Sequence, residues 1–121
     1  MPSYVAHQYA IELARIAHDN KAEDVVVIDL RGISQVMDFA VIATGTSDRQ
    51  MRSTADAVIQ YGKKLGQRPY GFAGYEAAVW IVVDYVDVVL NVFGRTYRDY
   101  YDLELLWGDA PRLAWTRSES A

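Results

Sequence analysis

Segments of five or six residues, apolar but for at most one position and rich in valine and isoleucine, recur at 25–30 (VVVIDL), 39–43 (FAVIA), 80–85 (WIVVDY) and 88–93 (VVLNVF). β-Branched side chains are stiff at χ1 and pack well on a pleated surface, so each run predicts a strand. The runs are nearly continuous in apolar character, the pattern of strands buried on both faces of a sheet. Helices must then cover that sheet, and two stretches can supply them. Ala6, Tyr9, Ala10, Leu13, Ile16 and Ala17 recur at helical spacing near the start, with Ser3 as the expected N-cap and Asp19-Asn20 as the end. Met51, Ala55, Val58, Ile59, Gly62 and Leu65 form a second stripe. Ser47 and Gln50 open it with capping-box spacing, and Gly66 closes it.

The connections narrow the topology. The short link between the first two runs predicts an antiparallel pair. Val86-Asp87 is tight enough for a hairpin between the last two. The second helix is long enough to cross over to a parallel strand near 69–73, where Gly71 and Gly74 indicate an edge or a bend. Residues 97–107 predict a third helix, stopped by Gly108 and Pro111. The expected fold is α/β, a single domain over residues 1–112 with one mixed sheet of about five strands flanked by helices. Residues 113–121 are expected to form a flexible tail.

A search for catalytic chemistry finds little. The chain has no cysteine, which excludes disulfides, thiolate catalysis and cysteine-held metals. His7 and His18 stand too far apart on one helix to share an ion. The Gly45-Thr46-Ser47 turn before a helix could cradle a phosphate. A nucleotidyltransferase would follow such a turn with a pair of metal-binding carboxylates on an adjacent strand. Here Asp48 follows the turn directly, no Asp-x-Asp pair occurs, and Asp84 and Asp87 flank a hairpin. Ser47 acting as a helix cap explains the motif. No catalytic, cofactor-binding or metal-binding residue is therefore assigned, and no cofactor is expected. The alternative is a nucleotidyltransferase-like enzyme using Gly45 and Ser47.

Charge points elsewhere. The net charge is −4. Between Glu76 and Glu104 six acids stand against Arg95 and Arg98, which accounts for the whole excess. Such a stretch attracts basic proteins and repels phosphate backbones. Trp80, Tyr85 and Tyr101 would supply apolar contact area there, and Glu76, Asp84, Asp87 and Glu104 complementarity. The expectation is a docking face for a basic protein, without sequence-specific nucleic-acid binding. No apolar run approaches the roughly twenty residues of a membrane span. Residues 1–10 carry no export signal pattern, so a cytoplasmic location is expected.

The same residues carry a likeness. Residues 38–47 (DFAVIATGTS), 80–89 (WIVVDYVDVV) and 100–111 (YYDLELLWGDAP) resemble, in order, the signature motifs of the ribosomal silencing factor (RsfS, Iojap) family. The match runs from about residue 3 to 112. The resemblance implies a nucleotidyltransferase-like fold without the catalytic carboxylates. It implies a translational repressor that binds protein fourteen of the large ribosomal subunit, blocks joining of the small subunit, and forms homodimers off the ribosome. Two positions depart from the family pattern. Val86 stands where glycine is usual in the hairpin turn, and a β-branched residue tolerates positive φ poorly. Asn91, counted with the partner-binding residues, stands where histidine is usual; it keeps hydrogen-bonding capacity but loses titration near neutral pH.

Overall fold

The computed structural model describes residues 1–117, the side chains of Tyr100 and Tyr101 excepted. Its centre is a pair of parallel strands, β2 (Phe39–Gly45) and β5 (Val88–Gly94), in register from Phe39 opposite Val88 to Gly45 opposite Gly94. Every residue of β2 is buried, as the unbroken apolar run predicts for a strand covered on both faces. β1 (Glu23–Asp29) lies antiparallel beside β2, and β4 (Trp80–Asp84) antiparallel beside β5. The edges are β3 (Gly71–Ala73) next to β4 and β6 (Arg112–Leu113) next to β1. The order is β3-β4-β5-β2-β1-β6.

The sheet thus has six strands, one more than the sequence indicates, because β6 is only two residues long and lacks a run of its own. The crossover also lands differently. β3 runs in the same sense as β2 but at the far edge, with β4 and β5 between them. The parallel partner of β2 is the more apolar β5, since the centre of the sheet takes the strand that buries both faces.

Two long helices cover one face. α1 (Ser3–Asp19) and α2 (Asp48–Lys64) pack on Phe39, Val41, Ala43, Ile81, Val83, Val88, Leu90 and Val92. Ser3 does not cap α1. Pro2 is the N-cap residue, its carbonyl accepting from Ala6 N, while the Ser3 hydroxyl accepts from Arg31. At α2 the Ser47 hydroxyl accepts from Gln50 N at 3.0 Å. The reciprocal bond is shifted by one residue, Gln50 Oε1 accepting from Thr46 N at 3.1 Å. Thr54 is fully buried on the inner stripe, bonded by Gln50 Nε2, whereas Leu65 is 55% exposed beyond the helix end.

α2 closes with a Schellman motif. Gly66 adopts φ +72, Gly66 N bonds Lys63 O, and Gln67 N bonds Gly62 O at 2.8 Å. Gly62 sits over a tyrosine cluster, in which Tyr9 packs edge-on to Tyr85 at 5.1 Å and beside Tyr61. Burial raises the pKa of Tyr9 and Tyr85 alike, which favours the neutral phenols.

The second face is covered over β1 and β2 by the segment after β5. It bends into α3 (Arg95–Tyr101) and α4 (Leu103–Leu106) rather than one helix. Asp102 breaks it with φ +35, and its carboxylate accepts from Leu105 N, capping α4. Leu103, Trp107 and Ala110 then pack against Ile28, Leu30, Ala40, Ile42 and Phe93. Contacts run on past residue 112. Trp115 Nε1 donates to Val25 O, Arg15 Nε donates to Trp115 O, and Arg117 pairs with Asp19 at 2.8 Å. The last four positions of the expected tail lie outside the described residues.

A Cβ on Gly62 would lie 2.6 Å from Tyr9 Oη, 2.8 Å from Tyr85 Oη and 2.9 Å from Gln67 O. Gly62→Ala is therefore expected to lower Tm by roughly 4 °C, about 1 kcal/mol, even though alanine is the better helix former by about as much. Thermal unfolding followed by circular dichroism checks the sign, and a rise would refute the crowding.

Candidate docking face

The period of two along β4 sorts the expected site residues. Trp80, Val82 and Asp84 point to the face away from α1 and α2; Ile81, Val83 and Tyr85 point under the helices. Tyr85 is 5% exposed, packed on Tyr9, with its hydroxyl 3.5 Å from Val58 O. It is a core residue with no surface for a partner. On the opposite face Trp80 packs on the cluster that also takes Leu103 of α4 and Trp107, while toward the hairpin the face opens into a groove bordered by Asp84, Val86 and Val89.

Trp80 is half-buried and stacks on Phe93 with centroids 4.9 Å apart. Its Nε1 donates to Asn91 Oδ1 at 3.1 Å, and Asn91 Nδ2 reaches Val89 O at 3.4 Å. Asn91 is 4% exposed. Its role is to orient the Trp80 indole from within the sheet, and a buried amide with both ends bonded has little left for a partner.

Asp84 stands at the end of β4 on the open face. Its Oδ1 accepts from Val86 N at 2.7 Å, closing the hairpin turn. Val86 takes φ +73, the conformation a glycine would take without penalty, so the valine is held in a strained backbone conformation. Asp87 sits on the same hairpin, its carboxylate 3.3 Å from the Met1 ammonium and its carbonyl accepting from Asp38 N and Phe39 N.

The remaining acids are elsewhere. Glu76 is exposed on the loop between β3 and β4, where Arg52 of α2 binds its carbonyl. Glu104 lies over the β1–β2 half, bonded by Arg98 Nε at 2.9 Å and 3.3 Å from Arg112. The side chain of Tyr101 lies outside the described residues. The acidic stretch is therefore not one patch. Asp84 is the acid that combines an open-face position with no ion-pair partner among the described residues.

Sequence reasoning missed Arg98. Its guanidinium also donates to Thr44 Oγ1 at 2.7 Å and to Asp24 O, so one side chain ties α3, α4, β1 and β2 together. Only the fold brings those partners within reach of a fork donor. Also missed were Val36, Met37 and Tyr70. With Asp84, Val86 and Val89 they line a groove of about 440 Å³ at the hairpin end of the open face. Val36 and Tyr70 are exposed loop residues, which no periodicity marks.

The Gly45–Ser47 turn borders a second hollow of about 230 Å³, at the carboxyl ends of the parallel strands, with Asp48, Gly94 and Arg95 among its lining. That is where an open α/β sheet would bind a ligand. Here the amides of Thr46 and Gln50 are already taken by the two caps, and Arg95 pairs with Glu23. Among the described residues no three His, Cys, Asp or Glu side chains converge to hold a metal.

Comparison with known proteins gives this geometry its context. The family model described as "Ribosomal silencing factor during starvation" matches residues 4–121. The chain belongs to the ribosomal silencing factor family. Curated relatives named Ribosomal silencing factor RsfS include one from Halalkalibacterium halodurans, 39% identical and covering 90% of this chain and 94% of that protein. Another from Bacillus subtilis is 40% identical over 81% of this chain and 83% of its own. A crystal structure of a Chromobacterium violaceum protein superposes with TM-score 0.79 at 31% identity, covering 98% of this chain and 95% of that one. Membership carries a translation-regulating role associated with the ribosome, in a family named for regulation rather than for a reaction. No helix among the described residues is long and apolar enough to cross a membrane.

Arg98 is the fastening of the covered half. Arg98→Met is expected to destabilise the fold by about 2 kcal/mol, because it leaves Thr44 Oγ1 and Asp24 O without their donor and Glu104 with Arg112 alone, and so unties α4. Arg98→Lys restores little, since an ammonium cannot reproduce the fork. Urea unfolding of the three proteins measures this, and full rescue by lysine would contradict the assignment.

Proposed function

We propose that this chain docks on protein fourteen of the large ribosomal subunit and, by occupying that position, keeps the small subunit from joining. The supporting observation is the hairpin end of the sheet, where Asp84 lines an apolar groove on the face of β4 that also carries Trp80. A carboxylate that stands in no ion pair among the described residues, set in an apolar groove, suits a basic protein and repels the phosphates around it. The inhibition is steric and needs no catalytic group. The protein works in the cytoplasm, and away from the ribosome two copies associate as a homodimer. The bonded amides at the Gly45–Ser47 turn favour this reading over phosphate chemistry there.

Co-sedimentation with purified subunits tests it. The protein is expected to pellet with the large subunit alone, less so as salt rises, and to suppress the light-scattering increase when small subunits are added. Recovery in the supernatant with both subunits would overturn the proposal. Glu104→Gln separates docking from folding. Since Glu104 is held by Arg98 and Arg112, the variant should lose about 1 kcal/mol of stability and keep its subunit affinity within about twofold.

A further inference from the structure

We propose that the groove beside the β4–β5 hairpin receives one lysine or arginine side chain of the docked basic protein, with Val86 as its apolar wall and Asp84 as its charge partner. This rests on the docking reading above. Three observations converge on the groove. First, Val36 is 76% exposed, Tyr70 82% and Val86 49%. Singly exposed apolar residues are ordinary, but these three line one concavity of about 440 Å³. Second, Val86 holds φ +73, a conformation that disfavours β-branched residues. Glycine would build the same turn without that strain and without adding any side chain to the groove. Strain of this kind persists where the surrounding structure over-determines it, and it clusters at binding sites. Third, Asp84 lines the groove and is half-buried, with one carboxylate oxygen committed to Val86 N. It stands in none of the ion pairs among the described residues.

These features select the occupant. An aliphatic side chain would cover the apolar wall but strip water from Asp84 with nothing in return. A phosphate would be repelled. A long side chain with an apolar stem and a cationic head satisfies both, the stem lying along Val36 and Val86 and the head meeting Asp84.

Two variants and one small probe test this. Val86→Gly removes the wall and relieves the turn; Asp84→Asn removes the charge and keeps the oxygen that Val86 N bonds. Each is expected to weaken large-subunit binding about tenfold. Val86→Gly should do so without lowering Tm, and Asp84→Asn should flatten the salt dependence. The double variant should weaken binding by clearly less than the product of the two, because both act on one side chain. Unchanged binding by Val86→Gly, or full multiplicativity, overturns the proposal. So does loss of self-association alone, which would give the groove to a second copy of the chain. In parallel, N-acetyl-arginine amide is titrated into methyl-labelled protein. Shifts at the Val36, Val86 and Val89 methyls, abolished by Asp84→Asn, support the groove; silent methyls sink it. Should those methyls respond while wild-type protein ignores the large subunit, the ribosomal reading fails and the groove stands.

Discussion

The structure is organised by the parallel pairing of β2 and β5. That ladder buries both faces of two seven-residue strands, so each face needs its own cover. The chain before and between these strands supplies α1 and α2 for one face. The chain after them supplies the cover for the other, and it is short. α3 and α4 reach β2 and, through the Arg98 fork, β1, and Leu103 of α4 shares a cluster with Trp80 of β4, while the hairpin end of β4 borders a groove. The open hairpin end of the second face is thus what remains when a brief segment must return to pair with β1 as β6.

This asymmetry decides what the charges do. Glu104 and Asp87 are adjacent to cations of the chain itself and serve to pin segments. Glu76 is on a loop gripped through its carbonyl. An acidic stretch in sequence therefore becomes a set of separate structural contacts in space, with Asp84 standing on the open surface. Counting acids along the chain overestimates the docking field, because a carboxylate near its own arginine offers little to a partner.

Much of the fold was legible because burial writes directly into composition. The four β-branched runs mark the four long strands, and the stripe ending at Gly66 marks α2. What was not legible came from pairing at a distance. β6 and the edge position of β3 depend on which neighbour each strand finds, and neither segment has a period of its own. The single helix expected over residues 97–107 failed at Asp102, whose tolerance of left-handed backbone and capping ability outweighed helical spacing. The site was read less well than the fold. Trp80 and Asp84 were placed on one surface, yet Tyr85 was counted with them although an odd separation puts it on the other side of the strand. Asn91 was counted as a contact when it is a buried support.

The hairpin illustrates why sequence departures need a structure before they are interpreted. Valine at position 86 could have reshaped the turn, and then Asp84 would have lost its bond to the Val86 amide. Instead the ladder on both sides fixes the turn, through Tyr85 N to Val88 O at 2.9 Å and Tyr70 N to Asp84 O at 2.7 Å. Two anchored strands leave the connecting residue no other backbone conformation, so the strain falls on Val86 rather than on the geometry of the face. Valine at this position therefore presents a half-exposed apolar side chain at the turn. A rigid scaffold that accepts a costly residue at its rim can vary its partner contacts one side chain at a time, because the position of each is fixed by the sheet beneath.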